Sequence, residues 1–288
     1  MRSNAPAEIE RAIGLLQNTV YSFSMKVCGH REDAEDTMQE VLSRSLQHLV
    51  RFEDPSALAV WLYTVTRNRC WRMRRKGTHR ARVVSLDELM PGEAELERLA
   101  EDAAMRPDNR LLKAEERRLL QEAVHGLPTQ LRTVLVLHDM EELDTEQVAQ
   151  ILALQPGTVR VRLHRARLML RKEFGSLARA LPRRRRTGKK QARGAKGGGD
   201  GQRGAECREL FRNLSEYLDG RIEQPRCGEM GKHIEACPNC VAFIRDLRAA
   251  IDRCRALKLD CPAGAALRLR ALLTREYLRL LETATREN

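Results

Sequence analysis

Apolar residues return every three or four positions along most of this chain, and no segment of useful length alternates apolar with polar side chains. That period selects helices, because a 3.6-residue turn brings such positions onto one face. The expected fold class is all-α. With 288 residues, 42% hydrophobic content and only 4% aromatic residues, the chain suits two or three small helical cores better than one large sandwich. The pattern breaks from Leu181 to Gly204, where Arg183 to Arg186, Lys189, Lys190, Arg193, Lys196 and Arg203 lie among glycines with a single acid. Such a composition cannot bury a core and reads as a flexible basic linker. A softer break runs from about Thr78 to Asn109, with Pro91, Gly92 and Pro107. The expected division is a helical bundle over 10–80, a linker over 81–112, a helix-turn-helix domain over 113–180, the basic linker over 181–204 and a small metal-binding domain over 205–288.

Fifty-two Lys and Arg against 40 Asp and Glu leave a net charge of +12, which suits a polyanionic partner such as nucleic acid. No apolar run approaches the roughly 18 to 20 residues needed to span a bilayer, and no secretory leader follows Met1 and Arg2. A cytoplasmic protein without a membrane partner is expected. In a reducing compartment its eight cysteines point to metal binding or redox sensing before a disulfide framework.

In the first segment Ala34, Met38, Val41, Leu42, Ser45 and Leu49 form a buried helical stripe, with Asp33, Asp36 and Glu40 on another face. By itself that is a solvated acidic face. A second helix starts near Pro55 to Ala57 and ends in Arg67, Arg69, Arg72, Arg74, Arg75 and Lys76. Tyr63, Arg67, Cys70 and Arg74 fall opposite Trp61, Leu62 and Val65, so one side packs while the other offers cations beside aromatic faces. Such a face suits unpaired nucleic acid, by phosphate pairing and base stacking; the plainer reading is a core tryptophan and a solubilised helix end.

In the second segment Asp144 or Thr145 can cap a short helix carrying Val148, Ile151 and Leu152. Ala153 to Gln155 form the turn, and Pro156 opens the next helix. Val159, Leu163, Ala166 and Leu170 share that helix's inner face, which leaves Arg160, Val161, His164 and Arg165 pointing outward toward a major groove. An ordinary helical hairpin with a basic face is the alternative.

In the third segment His233 and Cys237 stand one helical turn apart, and Cys237-Pro-Asn-Cys240 brings two thiolates toward the same point. A fourth ligand comes from Cys207 or Cys227, with Cys207 favoured. Four protein ligands make a structural zinc site and leave no open position for catalysis. The same thiols form a redox pair as the second reading, though no βαβ pattern surrounds them. No catalytic constellation is present, so an enzyme is not expected. Leu267, Leu269, Leu272, Leu273, Leu280 and Leu281 give a last amphipathic helix that packs within this domain or against the first segment.

The order of residues adds a resemblance. Ala34-Glu-Asp-Thr-Met-Gln-Glu40, Phe52 and Trp61-Leu-Tyr-Thr-Val-Thr-Arg-Asn68 resemble region 2 of extracytoplasmic-function sigma factors. Leu127-Pro128, Arg132, Glu146 to Ala149 and the run from Thr158 to Arg167 resemble region 4. The resemblance implies that Asp36, Gln39 and Glu40 dock on core RNA polymerase. It implies that residues 51–59 and the following helix, with Tyr63, Arg67, Asn68 and Arg74, capture the unpaired strand of the promoter's −10 element. Region 4 then reads the −35 duplex. Cys207, His233, Cys237 and Cys240, with Leu214, Tyr217, Leu218, Asp219 and Gly220, resemble the zinc-binding anti-sigma domain. A tether of about 24 residues reaches roughly 25 to 30 Å and gives a millimolar effective concentration, so an intramolecular contact between this domain and the sigma regions is expected to regulate them. The alternative is an operator-binding helix-turn-helix regulator with a metal- or redox-sensing domain.

Overall fold

The computed structural model describes residues 5–49, 54–74, 85–104, 113–180, 211, 214–220, 228, 230–232, 234 and 237–284, and every regular element among them is helical. The chain separates into two compact units, and each draws on residues from both sides of the basic stretch 181–204. The first comprises 1–81, 128–159 and 255–288; the second comprises 82–127 and 160–254.

The first unit is built on α1 (Ala5–Cys28), α2 (Arg31–Leu49) and α3 (Pro55–Arg74). Gly29, at φ 85°, accepts the left-handed conformation that ends α1, and its N–H closes onto the Met25 carbonyl at 3.0 Å. Asp54 caps α3 by accepting from the Ser56 and Ala57 amides at 2.9 and 3.1 Å, with Pro55 in the first helical position. Ile13, Val20 and Tyr21 of α1, Ala34, Met38, Val41 and Leu42 of α2 and Leu62 of α3 form one core. The long helix α12 (Ala263–Ala284) completes it with Leu273, which is 1% exposed, and with Leu269 and Tyr277 at its margin. Gln17 donates to the Ala266 carbonyl and accepts from Arg270, both at 3.2 Å. Of the two positions open to this helix in the sequence, the one against the first segment is therefore the one observed.

The same unit holds α7 (Thr129–Leu135), a π-helical turn (Val136–Met140) and α8 (Thr145–Leu152). Arg132, 4% exposed, donates to the Val27 carbonyl at 2.8 Å and ties α7 to the end of α1. Asp144 and Gln147 form a reciprocal capping box that starts α8. Ala153 takes a left-handed conformation at φ 54° and stops it, and α9 (Pro156–Ala180) begins three residues later.

The second unit contains α4 (Leu86–Leu89), α5 (Glu93–Ala104), α6 (Lys113–Gly126), α9 from Arg160 onward, α10 (Leu214–Leu218) and α11 (Pro238–Arg255). Helices α4 and α5 occupy the stretch that proline, glycine and acids mark as a break. Phe211 and Phe243 pack at 4.4 Å between ring centroids, and both are fully buried. Three arginines join the pieces. Arg167 of α9 pairs in a bidentate fork with Asp219 at 2.9 Å on each arm and also donates to the Ser215 hydroxyl at 3.3 Å. Arg171 reaches Glu95 of α5 at 2.8 Å and stacks on Phe243 at 4.4 Å. Arg253 of α11 pairs with Glu116 of α6 at 2.6 Å.

Candidate polymerase and nucleic-acid interface

The α2 register places Asp36, Gln39 and Glu40 on one face, as positions i, i+3 and i+4 must be. Asp36 and Gln39 are exposed. Glu40 is drawn down by Arg44 at 2.9 Å and by Arg69 of α3 at 2.7 Å, so it also fixes the α2–α3 pairing.

The second side of α3 is not the open face expected from its period. Tyr63 is 7% exposed, Arg67 9% and Cys70 fully buried. The reason lies far along the chain: Glu141, just after the π-helical turn, accepts from the Tyr63 hydroxyl at 2.7 Å and from the Lys26 ammonium of α1 at 2.7 Å. Gln147 of α8 donates to the Ser56 hydroxyl at 2.9 Å, which brings α8 onto the start of α3. Phe23 meets the Tyr63 ring edge-on at 5.2 Å. Burial, and then the Glu141 charge and hydrogen bond, hold the Tyr63 phenol protonated far above its ordinary range. Arg67 lies 4.9 Å over the Trp71 ring, and burial pulls its pKa down. Asn68 is exposed; Arg74 ends α3, and its side chain lies outside what is described. Lys26 and Glu141 carry no signal in the sequence beyond an acidic pair, Glu141-Glu142, that any loop can show.

On α9, Arg160 and Val161 are exposed, Val161 by 54%, and Arg165 is half-buried. His164 differs from expectation: it is 7% exposed, and neither ring nitrogen has a hydrogen-bond partner. Helix α9 carries a second buried stripe, His164, Arg167 and Arg171, beside its apolar one. Burial first, and then the charges of Arg167 and Arg165, lower the His164 pKa to about 4, so it is neutral at physiological pH.

Of the four zinc-ligand candidates, Cys207 and His233 lie outside the described residues, as does Cys227. Cys237 precedes α11, and its carbonyl accepts from the Val241 amide at 3.1 Å, while Cys240 is buried in the first turn. Two thiols three residues apart at the start of an 18-residue helix are donors of the type zinc takes, so this half of the ligand set fits a zinc ion. No group of three or more metal-ligating side chains occurs among the described residues, and no described helix is long and apolar enough to cross a membrane.

Residues 13–80 match the family described as "Sigma-70 region 2", residues 117–170 match "Sigma-70, region 4", and residues 207–240 match "Putative zinc-finger". Among curated proteins, the chain is 32% identical over 166 residues to "Probable RNA polymerase sigma factor RfaY" of Xanthomonas campestris, covering 57% of this chain and 40% of that one. It is 27% identical over 168 residues to "ECF RNA polymerase sigma factor SigW" of Bacillus subtilis, covering 57% of this chain and 88% of that one. Among solved structures, it is 20% identical, with a TM-score of 0.42, to a co-crystal structure of the sigma factor RpoE with the anti-sigma factor NepR from Bartonella quintana, covering 58% of this chain and 97% of that one.

Proposed function

This chain belongs to the extracytoplasmic-function group of sigma-70 RNA polymerase sigma factors, and we infer that it binds core RNA polymerase in the cytoplasm and directs promoter-specific transcription initiation under the control of its own zinc-binding segment. The observation that carries the reading is the pair of matched sigma regions in the right order, the first with Asp36 and Gln39 open on α2 and the second with a capped helix-turn-helix whose Arg160 and Val161 are open on α9. Asp36, Gln39 and Glu40 contact polymerase; Arg160, Val161 and Arg165 meet the −35 duplex, with arginine reading base edges and neighbouring cations meeting phosphates. Asn68 and Arg74, with Tyr63 and Arg67 once uncovered, serve the unpaired −10 strand. The work is binding and positioning, with no covalent step.

Cys207, His233, Cys237 and Cys240 would hold the zinc, and the span of the zinc-finger match, which begins at Cys207 and ends at Cys240, favours Cys207 over Cys227. When bound, the ion supplies a four-coordinate cross-link that stabilises a small helical segment. Asp219 lies within that span, so the grip of Asp219 on Arg167 supports regulation through an intramolecular contact with region 4.

The test is run-off transcription with core polymerase and a promoter library, comparing the full chain with Asp36→Ala/Gln39→Ala and with Cys237→Ser/Cys240→Ser. Promoter-specific transcripts that the first variant loses, and whose yield the second changes, are expected. Duplex binding with no transcript from the full chain or from the cysteine variant would instead select an operator-binding regulator.

A further inference from the structure

We propose that Lys26 and Tyr63 form a phosphate-binding site for the unpaired DNA strand, and that the Glu141 carboxylate occupies this site in place of a phosphate. The inference rests on the sigma reading and adds two residues, Lys26 and Glu141, that its sequence motifs do not contain. Lys26 is 5% exposed, and its ammonium donates to Glu141 Oε1 at 2.7 Å; the Tyr63 hydroxyl donates to Oε2 at 2.7 Å. Two donors from different helices thus converge on the two oxygens of one anion, as they would on the two non-bridging oxygens of a phosphodiester. A buried lysine is costly unless an anion accompanies it, so whatever displaces Glu141 must itself bring a negative charge.

The segment that delivers Glu141 has the charge pattern of a nucleic-acid backbone. Glu141, Glu142, Asp144 and Glu146 fall within six residues, and the same segment places Gln147 on Ser56 at the start of α3. While Glu141 is seated, Tyr63 is unavailable to DNA, whereas Asp36 and Gln39 stay open to polymerase and Arg160 and Val161 stay open to duplex. Glu141 therefore blocks strand capture alone and leaves polymerase docking and duplex reading free. Release of Glu141 exposes a preformed ammonium and hydroxyl pair to the melted strand.

The experiment measures anisotropy of a fluorescein-labelled single-stranded DNA dodecamer of random sequence, and of the same dodecamer as duplex, with the full chain at fixed salt. Glu141→Gln is expected to tighten single-strand binding by roughly tenfold, the weight of one charge-assisted hydrogen bond lost from the competing state. The exposed neighbour tested as Glu142→Gln is expected to change it less than twofold, and duplex binding is expected to hold steady. Adding Tyr63→Phe to Glu141→Gln is expected to cancel the gain. No tightening by Glu141→Gln, an equal gain from Glu142→Gln, an equal gain on duplex, or a gain that survives Tyr63→Phe would each overturn the proposal. Circular dichroism melting of each variant reports folding; should Glu141→Gln unfold, Glu141→Asp, which keeps the charge but is too short to span both donors, is expected to tighten single-strand binding in the same direction, and no tightening by it would overturn the proposal. Core-polymerase capture by the same proteins separates the two ideas: failure of capture sinks the sigma reading, while the strand-binding pattern still decides the phosphate site.

Discussion

His164 sits buried and neutral among guanidinium groups, with a folded pKa of about 4 against an ordinary value of 6.5. Between those two values the unfolded chain binds a proton that the folded chain refuses, so stability rises with pH across the window. The contribution is complete above about pH 6.5 and declines as the pH falls toward about 4, and by pH 5 about 2 kcal/mol of it has been lost. Urea melts at pH 7.5 and pH 5 should show the wild-type chain losing that much more stability than His164→Leu, which cannot titrate. Equal losses in the two proteins would show that the histidine does not carry the effect. From the sequence, His164 belongs outside, because a helical wheel shows one apolar face and assigns every other position to solvent. Tyr63 is misplaced in the same way. Its cover, Glu141, comes 78 residues later, and no local pattern encodes that contact.

Helices were legible where the chain punctuates itself. Asp144, Gln147 and Pro156 mark the start of α8, its capping box and the start of α9, and the turn lies between Leu152 and Pro156 as the pattern requires. The second buried face of α9 was not legible, because arginine at Arg167 and Arg171 reads as solvated until its acidic partners are known. Helices α4 and α5 were missed for a related reason: their prolines and glycine stand at the ends, where they punctuate helices rather than break them. The element-scale consequence concerns α9 and α10. Arg167 is 1% exposed, and Asp219 is its bidentate partner. Removing one member of such a pair strands a charge at a cost of about 3 to 5 kcal/mol, whereas replacing both with apolar groups is close to neutral. Urea denaturation should therefore rank Asp219→Ala well below Arg167→Met/Asp219→Leu. A single variant as stable as the double would mean that the fork adds nothing to the fold.

Across the whole molecule, sequence order and spatial order diverge, because residues from before and after the basic stretch 181–204 build each compact unit. In the first unit α12 closes the α1–α2 core with Leu273; in the second, Asp219 and Phe243 lie against Arg167 and Arg171 of α9. The covalent connection contributes effective concentration, and these contacts supply the affinity that it multiplies. Cutting the tether removes the first term and leaves the second. A chain carrying an inserted protease site between Lys190 and Gly197, cleaved after folding, should elute from size exclusion as one complex at micromolar concentration. Leu273→Asp combined with Asp219→Ala removes an apolar anchor from one unit and the fork from the other, and the cleaved double variant should separate into two fragments. Separation of the cleaved wild-type protein would show that the tether alone keeps the zinc segment beside the sigma regions. Regulation would then have to act through linker length, and in the uncleaved chain changing that length would alter transcription while Asp219→Ala would not.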